Sequence, residues 1–290
     1  VAEGARKSPL AGGDARKFVR SIDNLPTLPS IVAKVSEIIE SPTASAADIN
    51  RVIRQDMALS ARILRLVNSS FYGFPRRISS ITHAVVILGF NTVRNVTLSA
   101  FVLDAFAARD LPFGHREFWI HSLGTAVAAN TLAKRWGASE AEDAFMGGLL
   151  HDIGKTVLHQ YARDDFAAVL KVVKEKDCLI YDAERECIGT THAEMGGALL
   201  DAWHLPPHLV EAVTFHHSPG AAPDSNLAAV VHLADIFTRA LLVGSGGDER
   251  IPRASREAWA RLALDTAQVG ELLQEIAREI RKVDAFVELL

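Results

Sequence analysis

Apolar residues in this chain recur at helical spacing almost from end to end, and that period restricts the fold more than any other feature. In PSIVAKVSEIIE (residues 29–40), Ile31, Val35, Ile38 and Ile39 share one face. ALSARILRLVNSS (58–70) repeats the pattern with Leu59, Ile63, Leu66 and Val67. FWIHSLGTAVAANTLAKRW (118–136) is rich in Ala and Gly, which lets neighbouring helices approach closely. AQVGELLQEIAREIRKVDAFVELL (267–290) is amphipathic, with Glu and Arg at its solvated positions. The nearest approach to a strand is AVVILGF (84–90), whose length suits a buried helix segment equally well. The expected fold class is all-α.

Pro and Gly mark the joints at LPTLPS (25–30), YGFPRR (72–77), LPFGH (111–115), LPPH (205–208) and GSGGDERIP (244–252). The joint near 111–115 is the natural division, because clustered metal-ligand residues appear only after it. This gives a linker remnant over residues 1–19, a smaller N-terminal helical lobe over 20–112 and a helical bundle over 113–290.

A formal charge of −4 leaves no general basic footprint, so nucleic acid is not an expected partner. The Arg pair in FPRRIS (74–79) is too small a patch to change that and reads as part of a structural turn. Cys178 and Cys187 are too few for a disulfide framework; they read as core residues in a reducing cytoplasm. The N-terminus lacks a secretory apolar core. NLAAVVHLADIFTRALLVG (226–244) carries His232, Asp235 and Arg239, and so reads as a helix buried in protein rather than in a membrane. The chain opens on Val rather than Met, consistent with a preceding segment.

Against this apolar background a few polar residues stand out. His121 lies in WIHSLG, and His151 and Asp152 follow the apolar run GGLL. His192 is the first residue of a helix whose Thr191 and Glu194 match a capping box. His216 and His217 end a helix before Pro219, and Asp235 sits in a helix apolar on nearly every side. Each has a plain alternative: a core histidine with one hydrogen bond, a dipole-favoured helix end, or an Asp235 paired with Arg239 or His232. Together they are harder to satisfy locally, because a buried unpaired carboxylate costs several kcal/mol or is driven neutral. A divalent cation would satisfy several at once, since imidazole nitrogen and carboxylate oxygen are its ordinary ligands. The number of groups allows one or two ions, and mixed N/O ligation admits iron, manganese, zinc or nickel. His151 and Asp152 can reach one ion if their helix ends there, and Gly154 is the expected break.

His121, the HD pair at 151–152 and Asp235, in that order, resemble the HD superfamily of metal-dependent phosphohydrolases. His192 and the HH at 216–217 resemble its binuclear members. LPTLP, followed by QDMALSARILRLVNSSFYGFPRRISSITHAVVILGFNTVRNVTL (55–98), resembles the HDOD family, helical output modules of bacterial signalling proteins. The resemblance implies an HD-like bundle beside the N-terminal lobe. It implies a core site of His121, His151, Asp152 and Asp235, with His192, His216 and His217 on a second ion and Asp152 as bridge. In a hydrolase, Asp152 and Lys155 would be the catalytic candidates; Lys155 would face a substrate phosphate or else be a solvated helix-end lysine. The GYP element that cyclic-dinucleotide phosphodiesterases of this superfamily carry after their paired histidines is absent from HHSPGAAPDSN. The expected function is therefore a cytoplasmic signal output module of response-regulator type, acting on partners under an upstream receiver or sensor domain. An active phosphohydrolase on a nucleotide or phosphoester is the alternative. His83, His115, His159, His204, His208 and His232 match no ligand position and read as core or surface.

Overall fold

The computed structural model describes Leu10 and residues 13–106, 111–136, 141–222 and 225–283. Among them, regular structure is helical only: α1 Ala15–Arg20, α2 Ser30–Glu40, α3 Ala46–Ile53, α4 Met57–Val67, α5 Ile81–Leu88, α6 Phe90–Ala105, α7 His115–Arg135, α8 Ala141–Leu150, α9 Ile153–Tyr161, α10 Arg163–Lys176, α11 Ile180–Ile188, α12 His192–Ala202, α13 Pro207–Phe215, α14 Asn226–Ala240, α15 Arg256–Arg261 and α16 Thr266–Ile280. Residues 284–290, the end of the expected last helix, lie outside the described residues.

Side chains set many of the helix starts. Asp14, Asp56, Ser80 and Ser225 each accept a backbone N–H of the first turn, and Ser45 with Asp48 closes a reciprocal capping box. AVVILGF is helical, ending where Gly89 at φ +85° reverses the chain into α6. The turn from α4 to α5 is pinned by Asn68, whose amide donates to the Ile78 carbonyl at 2.8 Å and accepts the Ile78 N–H at 2.7 Å. Arg76 and Arg77 project from this turn into solvent.

Helices α2 to α6 pack on one another, and α6 also lies against α8 of the bundle. Arg94 on α6 pairs with Asp143 on α8 at 3.0 Å, and His208 on α13 meets the other carboxylate oxygen at 3.1 Å. Trp203 donates its indole N–H to the Pro26 carbonyl at 2.7 Å, tying the α12 end to LPTLPS. Ala15–Arg20, inside and beside the stretch expected as a linker, is a helix that packs on α12.

Helix α7 is the axis of the bundle. Nearly every residue from Phe118 to Ala133 is buried, against α8, α14 and α16. Its Ala and Gly positions permit that crowding, and Phe118 and Trp119 are among the largest fully buried side chains; truncating Phe118 to Ala would cost about 3–5 kcal/mol. The stretch 226–244 is this kind of segment too, since α14 is buried from Leu227 to Arg239. No helix among the described residues is long and apolar enough to cross a membrane. The cysteines differ from expectation: both are free, Cys178 only partly buried and Cys187 exposed. Burial on α11 goes to Ile180, Ala183 and Glu184, in its first half, leaving the last turn outside.

Candidate metal centre

The seven expected side chains converge from five places in the chain. His121 projects from mid-α7. His151 and Asp152 form the two-residue turn between α8 and α9. His192 is the first residue of α12, fixed by the reciprocal capping box of Thr191 and Glu194. His216 and His217 follow the last residue of α13, and Asp235 lies on α14.

The break that lets the HD pair face one point comes earlier than expected. Helix α8 stops at Leu150 and α9 starts at Ile153, so Gly154 is helical and ends nothing. Its role is close approach. A Cβ there would overlap the His192 carbonyl oxygen and come within 2.7 Å of the Gly196 nitrogen. The bare backbone lets α9 lie directly on α12, which brings His192 to Asp152.

Three imidazoles are tied off on their outer nitrogen. His151 Nδ1 donates to the Gly148 carbonyl at 2.7 Å, and His216 Nδ1 donates to the Val213 carbonyl at 2.7 Å. His192 Nδ1 donates to Glu184 Oε2 at 2.6 Å. This leaves the Nε2 lone pairs directed inward, the tautomer that metal-ligating histidines use. His232 braces the group from behind: its Nδ1 donates to the His216 carbonyl at 2.7 Å, and its Nε2 accepts the Ser255 N–H at 2.9 Å.

Inside, His192 Nε2 lies 3.1 Å from Asp152 Oδ1 and 3.0 Å from His217 Nε2, and His216 Nε2 lies 3.9 Å from Asp152 Oδ1. On the other side, His151 Nε2 is 3.3 Å from Asp152 Oδ2, and His121 Nε2 is 3.0 Å from Asp235 Oδ1. Two groups result, each with ligand atoms within 4.8 Å of one another: Asp152, His192, His216 and His217, and His121, His151 and Asp235. Bonds of about 2.1 Å to a common cation hold neighbouring ligand atoms about 3.0–3.4 Å apart, a range that the His192 contacts with Asp152 and His217 meet and the 3.9 Å His216–Asp152 separation exceeds.

The decisive observation is what these atoms lack. His121 Nε2, His151 Nε2, Asp152 Oδ1 and His216 Nε2 are buried without an aligned hydrogen bond. Four such atoms at one point would carry a large desolvation cost as a purely structural core. A divalent cation relieves that cost at the atoms it binds, and the residues fit one.

The electrostatics favour ligation at both aspartates, His216 and His217, whereas at His192 a metal would have to displace a proton. Burial pushes the Asp152 and Asp235 carboxyls up, but His151 and Lys155 around the first, and Arg239 and His121 around the second, hold both well below the usual range. Burial drives His216 and His217 well down, so they are neutral and able to ligate. Burial would lower His192 too, but the Glu184 charge outweighs it and lifts the ring above its ordinary value.

Lys155 is neither solvated nor directed at an open cleft. It is fully buried, donating to Asp152 Oδ2 at 2.6 Å and to the Gly246 carbonyl at 2.7 Å. Arg239 donates to Asp235 Oδ1 at 2.9 Å and to Asp248 Oδ1 at 2.8 Å. Gly246 and Asp248 belong to the 244–252 loop, which lies across the site. At Gly244, φ is +62° and a Cβ would overlap the backbone of α7 at His121 and Glu117. Of the seven residues only His217 is partly exposed, with Tyr181 packed on its ring at 4.5 Å between centroids.

Glu184, Arg239 as a central group, Gly246 and Asp248 escape sequence reasoning. Glu184 sits in DAERECI, which reads as a solvated helix face, and only the fold turns it inward. Asp248 lies in a Gly-rich loop with no period to read. Arg239 alone had a signal, its i+4 spacing from Asp235.

The HDOD domain model matches residues 25–219. The chain belongs to the HDOD family. Its structure superposes on an HDOD domain protein from Geobacter sulfurreducens with a TM-score of 0.80 and 28% identity, covering 93% of this chain and 96% of that one. A candidate phosphohydrolase from Shewanella amazonensis SB2B superposes with a TM-score of 0.73 and 25% identity, covering 94% and 98%. An uncharacterized protein of Treponema pallidum (strain Nichols) is 29% identical over 243 residues, 83% of this HDOD chain. The match spans 47% of that relative, so the chain corresponds to about half its length.

Proposed function

We propose that this chain is a metal-binding output module of a bacterial signalling protein, in which the ion holds the bundle in one conformation rather than turning over substrate. The observation that supports this reading is a cluster with ligand chemistry that is closed on nearly every side. His121, His151, Asp152, His192, His216 and Asp235 are all at most 2% exposed. A bound divalent ion would supply Lewis acidity and lower the pKa of a bound water. The chain's own residues set the rest: Glu184 orients His192, Lys155 holds Asp152, and Gly246 and Asp248 keep the loop over the site. In this reading residues 20–112 form the surface engaged by partners or by an adjoining receiver or sensor domain, and residues 113–290 form the metal-binding bundle.

The alternative is an active phosphohydrolase, favoured by the full ligand set and by the similarity to the Shewanella candidate phosphohydrolase. Asp152 would then be catalytic. Lys155 would have to leave both the Asp152 carboxylate and the Gly246 carbonyl to touch a phosphate.

Elemental analysis of the purified protein, followed by a screen against bis-nitrophenyl phosphate and nucleoside phosphates, separates the two. Bound metal without turnover is the expected result. Turnover abolished by Asp152→Ala in a folded protein would establish the hydrolase, and failure to take up iron, manganese, zinc or nickel would remove both.

A further inference from the structure

Six buried groups of fixed charge meet at this centre. Four are carboxylates: Asp152 and Glu184 at 0% side-chain exposure, Asp248 at 1% and Asp235 at 2%. Two are cations, Lys155 at 0% and Arg239 at 6%. The histidines add no charge while they offer lone pairs. Two negative charges are left over, which one divalent ion balances and two would overshoot by two positive charges among side chains that are nearly all buried. Excess charge in such a place is strongly disfavoured.

The built-in cations are not shared evenly. Arg239 already occupies Asp235 Oδ1 at 2.9 Å, the oxygen nearest His121, and Lys155 occupies Asp152 Oδ2 at 2.6 Å, the oxygen nearest His151. Of the Asp152 and Asp235 oxygens that face the imidazole Nε2 atoms, the one left without Lys155 or Arg239 is Asp152 Oδ1, which faces His192 and His216, with His217 beside them. We infer that this chain binds a single divalent ion, held by Asp152 Oδ1, His192, His216 and His217, and that Lys155 and Arg239 take the place of a second ion. His121 Nε2 then lies against Asp235 Oδ1 at 3.0 Å without ligating, and His151 stands between the two halves. The inference rests on the proposed metal-binding role and assigns the ion to the half of the cluster opposite the one expected from the HD pair, His121 and Asp235.

The test is metal stoichiometry on the full chain. Apo protein is titrated with Mn(II) or Co(II) in a calorimeter, and bound metal is counted after gel filtration. One ion per chain is expected. His217→Ala, at the partly exposed position, should weaken binding at least about 100-fold, whereas His121→Ala should keep one ion within about tenfold. The double variant Lys155→Gln with Arg239→Gln, if its melting curve stays cooperative, should raise the count to two. Two ions on the wild-type chain would overturn the inference and leave the metal-binding role standing. So would one ion lost in His121→Ala but kept in His217→Ala. No ion on the wild-type chain would remove the role itself.

Discussion

Glu184 Oε2 accepts both the backbone N–H of His192, at 2.8 Å, and its ring Nδ1–H, at 2.6 Å. One oxygen thus fixes the start of α12 and the tautomer of its first side chain. A carboxylate behind a ligating imidazole raises its basicity and locks its orientation; losing such a partner typically costs about 10–100-fold in metal affinity. Glu184→Ala is expected to lose that much in a chelator-competition titration. Glu184→Gln, which can still accept both bonds, should lose less. Equal affinities for wild type and Glu184→Ala would mean that His192 is not a ligand.

An ion bound only by the native state stabilises it by mass action, by about 2.7 kcal/mol when its concentration is a hundred times Kd. Chelation should therefore lower the melting temperature by several degrees, and reloading should restore it. A calorimetric trace unmoved by either treatment would reduce the cluster to a structural core.

Gly154 gives a purely steric prediction. Because an added Cβ would run into the His192 carbonyl and the Gly196 nitrogen, both backbone, no side chain can move aside to accept it. Gly154→Ala should destabilise the fold by about 2–3 kcal/mol in urea and weaken metal binding by displacing α12. A variant as stable as wild type would show that α9 and α12 are not this closely packed.

Acid stability should depend on Asp143, where α6, α8 and α13 meet. Burial pushes this carboxyl up, but the His208 hydrogen bond and the Arg94 charge outweigh it and hold it below its ordinary 3.8. Folding thus favours the charged form. Its contribution is complete above 3.8 and is lost as the pH falls through the lowered folded value. Asp143→Asn should cost about 1 kcal/mol at neutral pH. Unfolding curves of wild type and variant should then converge in strong acid. A gap that stays constant with pH would assign the loss to packing.

These residues also show where sequence reading succeeds and stops. The helical fold is legible because apolar spacing is local information. His192 can be placed at a helix start because its capping residues are its neighbours. The ligand candidates stand out because His and Asp are costly among leucines. Gly154 is different: a glycine inside a helix and a glycine that ends one look alike until the helix packed on it is known. Glu184 and Asp248 are hidden for a related reason, since an acidic residue on a short helix or in a loop has no local mark of burial. For Asp235, the structure bears out the pairing with Arg239 that the i+4 spacing offered. It still stands beside His121 in the cluster.

Helix α1 rests on α12, and α12 begins with His192. Ala15–Arg20 is therefore packed on the helix that carries one of the cluster's imidazoles. Because free-energy coupling runs in both directions, a cation gripped by His192 would in turn tighten the seat of that first helix.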